Sequence, residues 1–461
     1  MKINYSMELT QKIQEIMSTD LLGALYELYP VEKLRKYKSK SNKRDRVYNA
    51  ENTAITMIAT ALQEDKSLQS SVNIFNRIHN KNIEMIETNQ KEYEEKARAE
   101  DVSSPKHAGR PKKYRIRVAK SKQKDLSLNT SSYSQARTRL DIEYLLEVYK
   151  HSTEQPGLEI PTKWKGREVY ISDGTYLQMQ DSQELKEIYQ VKKSNGEAMD
   201  GYPQALLEVI LHQGSGIVSD FKLGSRHVSE LELIRDLIQR IPAGSLLLAD
   251  DLYCTYAIFC LLKKQGVDII VPGKRDRNYR VILEIAKGDE IVELKRTKHP
   301  DWLASETELP ETIIMRRITY EHPEHPGEES VLYTSILSEE IDKADIIIKY
   351  ESRWDIEITI RETKTIMDIN VIRSKSPEMV IKELLAALIA YNLLRKIIVQ
   401  SSLKRDFSPE AGIIQKCFED SRIILIDKKG RIYNRWSPGR NGYIINKNIE
   451  IQNNFQTKQA L

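Results

Sequence analysis

The spacing of apolar positions along this chain changes period more than once. Residues 51–62 (ENTAITMIATAL) carry an apolar face at helical spacing, and Ser67 stands where it can cap a second helix through Ile78. From Arg167 the runs shorten and read as strands at Val169–Asp173, Ala205–His212, Ile217–Leu223, Ser245–Asp250 and Asp268–Val271. Gln213–Gly216 separates two of them as a hairpin turn. Helical period returns at Val228–Ile241 and Tyr256–Gln265. Three meandering strands, helix, strand, helix, strand: that order predicts an α/β domain in which the first and fourth strands can pair. A β-rich excursion over about 273–345 follows, with β-like segments at Glu290–Leu294, Ile313–Tyr320 and Ser330–Ile336. After it comes a helix bearing Tyr350 to Lys364, and Pro377 opens a long apolar helix to about Val399.

Composition narrows the class. A chain of 461 residues with 40% apolar and 30% charged content suits a globular protein of two to four domains and excludes general disorder. Cys254, Cys260 and Cys417 are too scattered for a disulfide framework or a zinc cluster, which points to a reducing cytoplasm. The most apolar run, Leu384–Leu394, is about half the ~20 residues of a membrane span and contains Asn392. The first twenty residues lack the apolar core of a signal peptide. No membrane partner is expected.

The net charge of +4 is small, yet it is unevenly spread. Lys33 to Arg46 is a cationic run, and Ser104–Lys124 holds nine cations, among them Arg110, Lys112 and Lys113, with no acid. Both runs suit a phosphate backbone, or a solvated linker. Gly109-Arg110-Pro111-Lys112 has the Gly-Arg-Pro core of a minor-groove hook, with Ala108 where the leading Arg would stand.

Tyr350, Arg353, Glu357 and Lys364 carry the most chemistry. On a helix, offsets of three, seven and fourteen keep four side chains within an arc of roughly 60°. One acid between two cations and a phenol suits a metal-binding carboxylate flanked by phosphate holders, although helical charge pairs also look this way. Two more carboxylates, Asp173 and Asp250, close apolar strands that the predicted order brings together. An Asp at a strand end is often a turn former or cap, but three converging carboxylates form a hard-oxygen site for two Mg²⁺ or Mn²⁺ ions. Asp251, beside Asp250, leaves the second ligand open between the two.

Several separated strings then occur in order: Ser132–Arg137 (SYSQAR), Ile171–Thr175 (ISDGT), Ala249–Tyr253 (ADDLY) and Tyr350–Glu357 (YESRWDIE). Ile372–Val380 (IRSKSPEMV) and Ala390–Leu394 (AYNLL) follow them. Over roughly 130–400 the chain resembles the DDE transposases of bacterial insertion sequences, the group with a Tyr-x2-Arg-x3-Glu-x6-Lys signature. The resemblance implies a ribonuclease H-like mixed sheet flanked by helices, interrupted by the β-rich insertion, with an N-terminal helical domain. It makes Asp173, Asp250 and Glu357 the catalytic metal ligands, and Tyr350, Arg353 and Lys364 contacts to transposon-end phosphates. The family's Arg-Gly-Tyr after the second acid is here Asp251-Leu252-Tyr253.

Family members carry an insertion before the catalytic helix, some using an aromatic there to stack on a flipped base. Trp302 could fill that role or anchor the insertion's own core. The implied division is 1–100 helical and DNA-binding, 101–128 basic linker, and 129–272 with 346–400 catalytic. The insertion is 273–345, and 401–461 is a tail for DNA contact or dimerisation. The implied activity is metal-dependent cleavage and transfer of DNA strands at terminal inverted repeats. The implied partners are transposon ends, target DNA and a second copy in a synaptic complex on the bacterial nucleoid. A ribonuclease H-like nuclease without strand transfer, or a catalytically silent DNA-binding descendant, are the alternatives.

Overall fold

A computed structural model describes residues 47–63, 65–77, 127–154, 163–190, 201–273, 277–321, 327, 329–353 and 371–403. The described residues up to 395 fall within one compact unit, and the second unit is described only at 396–403, the last turns of a helix.

Four helical segments open the described chain. Helix α1 (Ala50–Ala61) starts at Asn49, whose side chain accepts from Asn52 N. Residues 68–77 are helical after Ser67, whose hydroxyl accepts from Ser70 N at 3.1 Å as its sequence position predicts. Helix α2 (Thr130–Arg139) packs on them through Tyr133, whose ring lies 5.3 Å from that of Tyr48. Helix α3 (Ile142–Thr153) buries Tyr144, Leu145, Val148 and Tyr149.

The sheet begins with β1 (Val169–Gln178), β2 (Gln204–His212) and β3 (Val218–Ser225), an antiparallel meander with a short helix α4 (Gln183–Tyr189) between the first two. Helix α5 (Glu230–Ile238) leads to β4 (Leu246–Leu248), and α6 (Tyr256–Gln265) to β5 (Asp268–Pro272). β4 pairs parallel to β1 and β5 parallel to β4, so the meander extends into two crossover units. The first five strands lie in the order β3-β2-β1-β4-β5, a ribonuclease H-like arrangement.

β6 (Arg280–Ala286), β7 (Asp289–Lys295), β8 (Thr312–Glu321) and β9 (Glu329–Thr334) come from the excursion. They do not form a separate sheet. β9 pairs antiparallel with β5, giving nine strands in the order β3-β2-β1-β4-β5-β9-β8-β7-β6. Arg316 on β8 is almost fully buried and donates to both oxygens of Asp289 and to the carbonyls of Ser338 and Ile341. Its two bonds to carbonyls fasten β8 to the segment leading into α7 (Lys343–Glu351).

Helix α8 (Pro377–Leu403) supplies the main apolar cover, burying Leu384, Leu385, Leu388 and Ile389. Asn392, which interrupts its apolar run, is fully buried and fully engaged. Its amide accepts from Val218 N and donates to Val218 O and Ser152 Oγ, tying α8 to β3 and α3.

The structure differs from two sequence expectations. β1 does not end at Asp173 but continues to Gln178, because Gly174 stays in register opposite Glu208. The described helix carrying Tyr350 ends at Glu351, with Ser352 as its cap, so Arg353 lies on the turn beyond it. Tyr350 and Arg353 therefore do not share the uninterrupted helix that the spacing suggested.

Candidate active site

β1 and β4 are apolar and buried up to the same level, where Ile171 pairs with Leu248. At that last pair the backbones lie about 5 Å apart. Asp173 and Asp250 stand two residues further along each strand direction. Asp250 opens a turn of 3-10 helix over Asp251–Tyr253, its Oδ1 accepting from Leu252 N at 3.0 Å. Burial lifts the Asp250 carboxyl above its ordinary range. The Leu252 N–H opposes that, Asp251 reinforces it, and the Arg353 guanidinium opposes it again. Asp251 itself is exposed, so of the two neighbouring acids Asp250 is the one partly enclosed with the rest of the site.

A further carboxylate enters from α5. Glu230, in the first turn of that helix, is raised by burial and then by Asp250 and Asp173. Gly174 makes room for it, since a Cβ there would lie 2.5 Å from the Glu230 carboxyl carbon. Glycine after Asp173 is thus a requirement of close approach and not a strand terminator. Sequence reasoning passed over Glu230 because an acid at the start of a helix is usually read as dipole complementarity.

Glu208 was also passed over. It lies in the strand run ALLEVILH with a fully buried side chain, and its Oε1 accepts from Tyr253 OH at 2.6 Å and from Ser172 Oγ. Burial pushes the Glu208 carboxyl up to about 8, against the pull of the two hydroxyl donors, with Glu230 and Asp173 adding to the rise. Tyr253 belongs to the turn that starts at Asp250, and Ser172 precedes Asp173. One buried carboxyl thereby joins the two acid-bearing segments from behind. The available signal was an acid at a position where both strand neighbours are buried.

From α7 and the turn that follows it, Tyr350 and Arg353 approach Asp250. The Arg353 guanidinium sits 5.6 Å from the centre of the Tyr350 ring, and both residues are buried. The Tyr350 hydroxyl is pushed up to about 12 by burial, with Asp250 and Glu351 adding to it and Arg353 opposing it. Tyr320 OH on β8 donates to Glu351 at 2.9 Å, a second tie between the excursion and this helix.

Trp302 packs partly buried against the main core, and its carbonyl accepts from Arg235 of α5 at 2.6 Å. Glu357, Lys364, Arg110, Lys112 and Lys113 lie outside the described residues, as do the cationic run at 33–46 and the tail from 404. Among the described residues no group of three His, Cys, Asp or Glu side chains is arranged to hold a metal ion, and no helix is long and apolar enough to cross a membrane. The donor set at Asp173, Asp250 and Glu230 is nonetheless all hard carboxylate. Mutual repulsion of that kind is what a divalent cation relieves.

Residues 164–393 match the family model described as "Transposase DDE domain". The chain is 27% identical over 303 residues to the transposase InsG for insertion sequence element IS4 of Escherichia coli strain K12, a match covering 64% of this chain and 67% of that one. It is 24% identical over 141 residues to the putative transposase InsZ of the same strain, covering 30% of this chain and 47% of that relative. A cryo-EM structure of the piggyBac transposase synaptic complex with hairpin DNA aligns with a TM-score of 0.38 at 9% identity, covering 85% of this chain and 75% of that chain.

Proposed function

The chain belongs to the DDE transposases of insertion sequences, and from that premise we propose that it binds the terminal inverted repeats of its own element and cuts and joins DNA at Asp173, Asp250 and Glu357. The observation that carries the site is the parallel β1–β4 register, which sets two acids on neighbouring strands with Arg353 electrostatically coupled to the second. Asp173, Asp250 and Glu357 would hold two Mg²⁺ or Mn²⁺ ions. When bound, such ions shield the phosphodiester charge and favour in-line displacement between attacking and leaving oxygens.

This chain's own residues do the remaining work. The Arg353 guanidinium places positive charge beside Asp250, where a negatively charged phosphate must come close. Tyr350 supports Arg353 as an aromatic platform, and Lys364 completes the set of phosphate contacts. Glu208 holds the Asp250 turn against β1 through Tyr253 and Ser172. Arg110, Lys112 and Lys113 grip phosphate backbone without reading sequence. Residues 1–100 read the terminal repeats, and Trp302 anchors the insertion or stacks on an unpaired base. Two copies act together, because two ends must be paired before joining.

The test is a terminal-repeat duplex incubated with the protein, Mg²⁺ and a supercoiled target. End-specific nicking followed by covalent joining to the target is expected. Nicking without any joined product would favour a nuclease.

A further inference from the structure

Two sequence strings without an assigned role, SYSQAR at 132–137 and IRSKSPEMV at 372–380, meet in the structure although some 240 positions separate them. They line one cleft of about 490 Å³ together with the end of α1 and the start of the helical residues 68–77. Its apolar floor includes Met57, Met379 and Ala386, and its cations are Lys66, Arg137, Arg373 and Lys375. The acid in the lining is Glu383.

That acid is engaged with the loop itself. The Glu383 carboxylate accepts from Arg373 N at 2.9 Å, from Ser374 N at 2.8 Å and from Ser374 Oγ. Residues 371–375 are exposed and buried in alternation, with Ile372 and Ser374 inside and Arg373 and Lys375 outside. A two-residue period sets the two outer cations about 6.6 Å apart along one edge. Lys382 is wholly buried and donates to the carbonyls of Arg137 and Thr138 at 3.1 and 3.0 Å, fixing the end of α2. The Arg137 Nε is buried with no hydrogen-bond partner, while its guanidinium lies 5.9 Å from the Tyr133 ring centre. A buried arginine N–H without an acceptor is costly, and an entering anion would satisfy it.

The cleft is also bolted to the strand that carries Asp173. Ile372 N donates to Gln178 O at 2.8 Å, Gln180 donates to Ile372 O, and Ser182 Oγ donates to Lys375 O at 2.6 Å. Gln178 ends β1 five residues beyond Asp173, or about 17 Å along the strand. At 3.4 Å per base pair that is roughly five base pairs of duplex.

Resting on the transposase reading, we infer that this cleft is a phosphate-binding site for duplex DNA leading away from the catalytic carboxylates. Arg137, Arg373 and Lys375 are its anion contacts, about five base pairs from the bond that is cut. The site positions the duplex and carries no base readout.

The experiment measures binding of the full chain to a terminal-repeat duplex across a salt series, for the unmodified protein and for a variant combining Arg373→Ala with Lys375→Ala. Each lost phosphate contact lowers the slope of log affinity against log salt by about 0.9, so the double variant should flatten it by nearly two and bind roughly tenfold more weakly or worse near physiological salt. A second measurement needs no variant: neutral methylphosphonate linkages are scanned outward from the cut site, on both sides. Weakened binding confined to about four to six positions out, and absent in the double variant, supports the cleft. An unchanged slope in the double variant, or a flat methylphosphonate scan in that window, overturns it. If the unmodified protein binds and cuts the duplex while either negative result holds, the cleft alone is refuted. If it neither binds nor cuts, the transposase reading falls first.

Discussion

Replacing Glu208 by Gln isolates the buried carboxyl behind the site. Gln keeps an oxygen for Tyr253 OH and Ser172 Oγ, and it removes the ionisation. Glu208 is fully buried, and its carboxyl rises from 4.5 to about 8 chiefly by burial. Between those values the folded chain keeps a proton that the unfolded chain has released, so folding stability falls as pH rises through the window and levels off above about 8. At about 1.36 kcal/mol per pH unit the full displacement corresponds to roughly 4–5 kcal/mol, a ceiling that local relaxation and water entry reduce. Urea denaturation of both proteins at pH 5, 6, 7, 8 and 9 gives the measurement. Stability of the unmodified protein relative to Glu208→Gln should fall by at least about 2 kcal/mol from pH 5 to pH 8 and then stay constant. Other titrating groups cancel in that difference. A difference that does not change with pH would show that Glu208 ionises normally, and the buried link between β1 and the Asp250 turn would need another explanation.

Other perturbations probe neighbouring parts of the same frame. Tyr253→Phe removes one donor to Glu208 and leaves the ring in place, so it should cost about 1–2 kcal/mol and slow end cleavage more than it weakens end binding. Loss of binding in step with cleavage would contradict that. Gly174→Ala drives a Cβ against the Glu230 carboxyl, and should reduce cleavage severalfold with a melting point changed by only a few degrees; unaltered cleavage would show that Glu230 moves aside without consequence. Asn392→Ala strands the N–H of Val218 and removes one of the two donors to its C=O, the other being Tyr149 OH, a loss of about 1–3 kcal/mol measurable by urea denaturation, and no measurable loss would mean that water replaces the amide.

Strand order, and with it the placement of Asp173 and Asp250 beyond neighbouring strand ends, could be read from sequence because buried strands and their crossovers leave strong apolar periodicity. Tyr256–Gln265 was expected as a helix and occurs at those bounds, with Thr255 capping one end and left-handed Gly266 the other. The pairing of β1 with β4 followed from the order of elements alone. What sequence concealed depends on contacts between distant segments. β6 escaped notice because Val281, Ile282 and Leu283 are all about half exposed, so no alternation marks the strand. Nothing local announces that β9 pairs with β5 and merges the excursion into the main sheet. Gly174 reads as the end of a strand in sequence, whereas in the fold the Glu230 carboxyl fills the space that a side chain would occupy. Nothing local marks Glu208 either, whose strand neighbours are buried on both sides.

Metal ligation by the acids is the claim from which the chemistry follows, and replacing them by cysteine tests it most directly. A thiolate binds Mg²⁺ poorly and softer ions well. Asp173→Cys and Asp250→Cys should each lose cleavage of a terminal-repeat duplex in Mg²⁺ and regain part of it in Mn²⁺ or Cd²⁺, with Asp251→Cys active in Mg²⁺ throughout. Full activity of Asp173→Cys or Asp250→Cys in Mg²⁺ would contradict ligation by that residue.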